Sequence, residues 1–344
     1  MSNKKYKLYK IQKVDTLESI ASKLGISPDE LKWFHNRYCR LNDLLGAGKI
    51  PKNLSHIIIP NDGFLENDTI ILKLEENSKR YKITQDSKLF VLNKPITHSI
   101  QETEWEVIFK KGLYNHQVEI QVVKREEKQL NSQWNPLLNL LKKLNIPFEK
   151  VELTLSLEGI VNKIINQEEI LNKWNRIKTE LENDPNFNEV IKTGDKEYSN
   201  SLPALKKDIL YFLFFSKFYN SEKKYNQPII TDRDKSMYSV LFSGIENKAD
   251  IKQIFYKKEL QKVYFRQKIT NLRNNISEIK SLYKNQFEKF TEIDTNQMNY
   301  SVSCNADYIL SVKDGNLISC NALFTEKAHD KLYYTSNIQI KELL

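Results

Sequence analysis

The side chains able to do acid–base or metal chemistry lie scattered along this chain of 344 residues. Its five histidines are His35, His56, His98, His116 and His329, and no two fall in the H-E-x-x-H spacing that sets two imidazoles on one helix face around zinc. The three cysteines form no C-x-x-C pair, and no glycine-rich phosphate loop occurs. Glu102, Glu104 and Glu106 share one strand face, the usual pattern of a solvated charged surface. Two carboxylates that converge only on folding, as glycoside hydrolysis requires, would leave no local motif. The expectation is a non-catalytic chain with no cofactor and no metal, and a hydrolase is kept as an alternative. The most informative stretch is the first sixty residues, from Tyr6 to Pro60.

The elements of that stretch are legible. Tyr6 to Ile11 alternates enough for a short strand, and Asp15-Thr16 offer side-chain oxygens to the first N–H groups of a helix. Leu17, Ile20, Ala21 and Leu24 make one apolar face, and Gly25 ends the helix. Ser27-Pro28-Asp29-Glu30 repeats the start signal, with Ser27 at the N-cap, Pro28 at the first helical position and Glu30 closing a capping box. A second helix from about Pro28 to Arg37 should bury Leu31 and Phe34. His56-Ile-Ile-Ile-Pro60 is the returning strand, ended by a proline that cannot donate to a ladder.

This layout over the first sixty residues resembles a LysM module, a small βααβ fold that grips N-acetylglucosamine glycans such as peptidoglycan and chitin. The resemblance implies a groove between the loop after the first strand and the loop before the second, lined here by Asp15, Thr16, Leu17, Ile20, Asn53 and Leu54. The chain departs from the family at Val14, where glycine is usual, and at Lys52-Asn53-Leu54-Ser55, which replaces glycine-glutamine. Two readings stay open. In one, the protein binds peptidoglycan at the cell envelope, or acts on it as an enzyme targeted by its module. In the other, it is a bacterial adaptor, since LysM-like modules without signal peptides occur in contractile phage-tail-like and type VI secretion machinery.

Composition bounds these readings. With 40% apolar residues and 11% aromatics the chain can fill real cores, and no apolar run approaches the roughly 20 residues needed to cross a bilayer. Met1 to Lys5 lead straight into the first strand with no apolar stretch, so the expectation is a cytoplasmic protein, or one exported without a cleaved signal. Charge is concentrated. Residues 1–60 hold eleven Lys/Arg against five Asp/Glu, and residues 248–290 hold eleven against four, leaving the remainder of a +9 chain at −4. The second patch carries Lys257, Lys258, Lys262, Arg266 and Lys268 among Phe255, Tyr256, Tyr264, Phe265 and Tyr283. Nucleic acid or an acidic protein would suit such a surface. No nucleic-acid motif accompanies it, so a protein partner is expected and a solvated face is the plainer account.

After a polar break at residues 62–68 the chain reads as α+β. Strands are expected at Thr69 to Leu74, Ser87 to Leu92, Glu104 to Phe109, Gln117 to Val123, Val151 to Leu157 and Ile160 to Ile165, with a helix near Trp134 to Leu144. Asn166 should cap a helix whose buried stripe is Ile170, Trp174, Ile177 and Leu181. Pro203 to Tyr219, apolar almost all round, reads as one central buried helix. Ile254 to Phe255, Val263 to Ile269, a helix over Ile276 to Phe290 and a meander from Tyr300 to Ile340 repeat the earlier element order. That repetition gives a possible duplication, with subdomains at 63–185 and 186–344 behind a module at 1–62. In the meander, a three-residue loop Asp314-Gly315-Asn316 would set Leu310 opposite Cys320, leaving Cys304 about 20 Å away at roughly 3.3 Å per residue. A disulfide between them is excluded, since its Cα atoms must lie within about 7 Å. Buried thiols in a reducing compartment are expected.

Overall fold

The computed structural model describes the chain apart from residues 1–5, 25–27, 40–42, 47–49, 52–53, 61–68, 73–75, 112–114, 130–134, 157–160, 216–220, 225–228, 243–244, 259–261, 272–275, 289–292, 312–313 and 344. Gly25, Ser27, Asn53 and the expected linker at 62–68 therefore lie outside the described residues. The chain divides into two compact units. One comprises Met1–Ile70, Glu222–Ile229 and Ile254–Lys257, and the other Ile71–Ser221, Ile230–Gln253 and Lys258–Leu344.

In the first unit β1 (Tyr6–Lys10), α1 (Leu17–Lys23), α2 (Pro28–Tyr38) and β2 (His56–Pro60) follow in strand–helix–helix–strand order. β1 and β2 pair antiparallel, from Tyr6 opposite Pro60 to Lys10 opposite His56. Leu17, Ile20, Ala21, Leu31, Leu45, Ile57 and Ile59 form the core between them. Full burial of each Leu or Ile contributes about 1.5–3 kcal/mol. Phe34, expected inside, is only half-buried and packs on Tyr38 at 5.0 Å between ring centroids. The inward position on that turn goes to the next residue, His35, which is 1 % exposed. Its Nδ1 accepts from the Ile58 N–H at 2.9 Å, so Nε2 carries the proton and donates to the Asp43 carbonyl at 2.8 Å. Asn36 closes a second pair of bonds with the Leu45 backbone, at 2.7 and 3.0 Å. Two adjacent polar residues of α2 thus fix both the returning strand and the long loop that precedes it.

The remaining strands, in chain order, are β3 (Thr69–Leu72), β4 (Asn77–Val91), β5 (Lys94–Lys111), β6 (His116–Gln129), β7 (Lys150–Leu155), β8 (Val161–Ile164), β9 (Ser221–Lys224), β10 (Ile229–Tyr238), β11 (Glu246–Lys258), β12 (Lys262–Asn271), β13 (Ser301–Ser311), β14 (Leu317–His329) and β15 (Leu332–Leu343). The helices are α3 (Asn135–Asn145), α4 (Gln167–Leu181), α5 (Asn188–Ser199), α6 (Leu202–Lys207), α7 (Ile209–Phe215) and α8 (Ile276–Gln286). The class is α+β, with an eleven-stranded sheet in the order β10-β11-β12-β13-β14-β15-β4-β5-β6-β7-β8 and a separate pair β3-β9. β15, the last strand of the chain, lies against β4, from Leu332 opposite Val91 to Leu343 opposite Arg80. One sheet therefore joins strands from both sides of residue 185.

Burial alternates along the strands as half-covered sheets require, for example at Val151, Leu153 and Leu155 of β7, each 0 % exposed. The β4–β5 hairpin turns on Leu92 and Asn93, whose φ values of 51° and 62° give the double left-handed geometry of a two-residue hairpin turn. α7 packs on β4 and β5 through Phe214, whose ring lies 4.9 Å from Tyr81 and 5.6 Å from Trp105. The apolar run expected as one helix from Pro203 is broken at Asp208, where the backbone is extended and the carboxylate accepts from the Leu210 N–H at 2.7 Å to start α7. The stripe Ile170, Trp174, Ile177 and Leu181 is buried on α4. Asn166 precedes that helix, but its side chain bonds the Glu152 N–H and the Lys150 carbonyl of β7 rather than capping the first turn.

In the meander Tyr308, not Leu310, lies opposite Cys320: the strands close at Ser311, whose N–H bonds the Asn316 carbonyl at 2.9 Å, and the register shift between Ile309 and Leu310 recovers only one position of the difference. Cys304 faces Phe324. Four strand positions separate Cys304 from Cys320, about 13 Å at roughly 3.3 Å per residue, and all three cysteines are free. Burial pushes the Cys304 thiol up to about 12 and raises that of Cys320 as well.

Candidate functional site

The residues that match the glycan groove are built into the first unit as follows. Thr16 is the N-cap of α1: its hydroxyl accepts from the Ser19 N–H at 3.1 Å, while the Ser19 hydroxyl accepts from the Thr16 N–H at 2.9 Å. This reciprocal pair satisfies two N–H groups that a helix start leaves open. Asp15 is turned the other way. Its carboxylate accepts from the Gln12 N–H at 2.8 Å and the Tyr9 hydroxyl at 2.9 Å and pairs with Lys23 at 2.9 Å, leaving the side chain 1 % exposed. The Gln12 backbone bond, followed by Lys23, holds this carboxyl below the usual aspartate range.

Leu17 and Ile20 are 7 % and 0 % exposed and belong to the core. Leu54 packs against the same core, and its N–H bonds the Pro51 carbonyl at 3.0 Å. Among the described residues of the set Thr16 is the exposed one, and beside it Gln12, Lys13 and Val14 face solvent. Val14 is 87 % exposed. Glycine is not required there by the fold: the Asp15 N–H closes the turn onto the Gln12 carbonyl at 3.0 Å with valine in place.

The second basic patch separates into two faces. Lys262, Tyr264, Arg266 and Lys268 point to one side of β12, where Lys262 and Lys268 are exposed. Arg266 forms a two-pronged pair with Asp307 of β13, at 2.7 and 3.0 Å. Lys257 and Lys258 lie on β11. Of the interleaved aromatics, Phe255, Phe265 and Tyr283 are buried at 0–1 % exposure and serve the core. Within the first unit, the Arg37 guanidinium lies over Tyr256 at 4.8 Å and over Trp33 at 5.4 Å.

Of the three strand-face carboxylates, Glu102 is engaged. Glu102 pairs with Lys128 at 2.7 Å and Lys82 at 3.1 Å, and those cations hold its carboxyl below the usual range. Among the described residues no group of three His, Cys, Asp or Glu side chains could hold a metal ion, and no helix is long and apolar enough to cross a membrane.

A buried acid outside every sequence motif is Glu326 of β14, 0 % exposed. It accepts hydrogen bonds from the Ser239 hydroxyl, from the Val240 and Leu241 N–H groups at 2.6 and 3.3 Å, and from the Tyr300 hydroxyl at 2.7 Å. Burial raises its carboxyl despite these donors. Its donors lie more than 80 residues away along the chain for all but Tyr300, so spacing carried no sign of it. Comparison with protein-family models and with curated proteins returns no match for this chain.

Proposed function

We propose that the chain is a non-catalytic, LysM-like binding and adaptor protein, acting as a component or cargo adaptor of a contractile secretion apparatus of the type VI or phage-tail kind. The observation that carries this reading is how the groove-matching side chains are used. Asp15 is committed to Gln12, Tyr9 and Lys23, Thr16 to the helix cap, and Leu17 and Ile20 to the core. A glycan needs free hydrogen-bonding groups beside an exposed apolar face. What the module presents instead is Gln12-Lys13-Val14, an exposed aliphatic side chain next to a cation, which is the chemistry of a protein contact.

The concentration of positive charge in residues 1–60 and 248–290 favours an acidic partner. Three free cysteines fit assembly in the reducing cytoplasm. One observation favours peptidoglycan as the second reading: the strand–helix–helix–strand order with its antiparallel β1–β2 pair is the arrangement expected of a glycan-binding LysM module.

Affinity purification of the full chain from cells carrying a contractile apparatus is expected to recover a spike, tube or baseplate subunit. Val14→Asp, at an exposed turn, should lose that subunit without changing the melting temperature. Recovery of no such subunit, or equal recovery with Val14→Asp, would count against the adaptor reading.

A further inference from the structure

Arg37 is an exposed cation that the first unit holds in place without pairing it. Its guanidinium lies 4.8 Å from the ring centroid of Tyr256, 5.4 Å from that of Trp33 and 5.5 Å from that of Tyr38. Those rings are half-buried and belong to the same unit. Trp33 and Tyr256 stand 6.2 Å apart, and Tyr38 meets Phe34 at 5.0 Å and Tyr6 at 5.5 Å, so an aromatic surface extends to both sides of the cation.

Helical spacing places these groups. Leu31 and His35 turn inward at 0 and 1 % exposure, and Trp33, Phe34, Arg37 and Tyr38 fill the adjoining side of α2. This explains why Phe34 stays half-buried. One turn from Arg37, at positions 33, 34, 40 and 41, the sequence has Trp, Phe, Arg and Leu, so no acid is placed to pair along the helix. Asp29 stands two turns away, about 12 Å along the axis at roughly 1.5 Å per residue. Arg37 makes no hydrogen bond or ion pair among the described residues, and its contacts with the rings use none of its N–H donors. Arg266 is the contrast, since its fork is closed by Asp307. A last-turn cation alone would be served equally by lysine, whereas ring faces suit a flat guanidinium.

We propose that this cluster is a second protein-docking centre of the module, and that its occupant is an acidic segment of the partner in which a carboxylate is flanked by apolar side chains. The carboxylate takes the open fork of Arg37 in two-pronged fashion, and the flanking groups lie on Trp33, Tyr38 and Tyr256. Trp, Tyr and Arg are the residue types that dominate binding energy at interfaces. A guanidinium already held by rings loses less freedom on binding. The excess of eleven Lys/Arg over five Asp/Glu in residues 1–60 draws the same kind of partner. Nucleic acid is the poorer fit, because a phosphate backbone asks for a track of cations and α2 balances Lys32 and Arg37 against Asp29 and Glu30. The inference rests on the module being a protein-docking unit, and it adds a contact of defined chemistry to that of Gln12-Lys13-Val14.

Calorimetric titration of the full chain at low ionic strength tests it, with a short peptide of alternating Glu and Leu, the matching Lys and Leu peptide, and a short DNA duplex. The acidic peptide should bind saturably with a dissociation constant at or below about 1 mM, and the basic peptide should give no signal. Arg37→Lys keeps the charge but loses the fork, and should weaken the acidic peptide at least about fivefold. Arg37→Gln should abolish binding. Both changes fall at an exposed position, so the fold is expected to stand. Absence of saturable binding by the acidic peptide, equal affinity in Arg37→Lys, or DNA held more tightly than the acidic peptide would each overturn the site. No contractile apparatus enters this measurement, so its failure leaves the recovery of a subunit through Val14 standing, and failure of that recovery leaves the peptide result standing.

Discussion

At the scale of single residues, Asp15 shows how a side chain suited to ligand binding can be absorbed by the fold. Its carboxyl is held below the ordinary aspartate value by the Gln12 N–H and by Lys23. A depressed folded-state value means that ionised Asp15 stabilises the native module. That contribution is complete above the unfolded value of about 3.9 and fades as pH falls through the lower folded value. Asp15→Asn should therefore lower the melting temperature at pH 7 and flatten its fall between about pH 4 and 2, which a series of thermal melts would read. A parallel loss of stability in both proteins across that window would contradict the tie. Thr16, Leu17, Ile20 and Ala21 were legible because capping and helical periodicity are local. Asp15 was not, since its partners depend on a turn and on Lys23 eight residues on. His35 and Glu326 were invisible for the same reason: each meets donors or acceptors that only the tertiary fold brings near.

At the scale of elements, α4 and α5 pack as a pair around Trp174, which is 0 % exposed and stacks on Tyr198 at 4.7 Å. Its indole N–H donates to Asp195 at 2.9 Å, and Asp195 pairs with Lys178 at 2.7 Å. Gly194 of α5 lies under this ring, and a Cβ there would come within 2.3 Å of the indole. Substituting alanine for a helical glycine ordinarily gains about 1 kcal/mol. Here Gly194→Ala should instead lower stability by about 1–3 kcal/mol, because a buried ring stacked on Tyr198 and hydrogen-bonded to Asp195 cannot retreat. The midpoint of urea unfolding checks the sign, and an unchanged or higher midpoint would refute the packing described. The stripe of α4 could be read from spacing, and the glycine could not, because its necessity comes from a different helix. The same distinction explains the break at Asp208 and the register shifts in β13 and β6. Composition marked an apolar run or an alternating strand, while the point of interruption was set by what packs beside it.

At the scale of the whole molecule, the eleven-stranded sheet is closed through its middle by a pairing that no local signal announces: β15 against β4, with Leu343 opposite Arg80. The sequence indicated the meander and most strands, and it indicated the α+β class. It could not indicate which strand the last one would join. Hydrogen exchange should therefore find the amides of residues 332–343, interior to the sheet, slower than those of residues 161–164 in the edge strand β8. Equal rates would mean that β15 is not an integral strand. The proposal for the module is that it docks protein rather than sugar, and it rests on the use of Asp15, Thr16, Leu17 and Ile20 by the fold. Its most direct test is co-sedimentation of the full chain with purified peptidoglycan sacculi in about 1 M salt, where the screening length falls to about 3 Å and non-specific attraction of a basic chain is suppressed. The account predicts that the chain stays in the supernatant. Pelleting with the sacculi, lost on Thr16→Ala in a variant that remains folded, would contradict it.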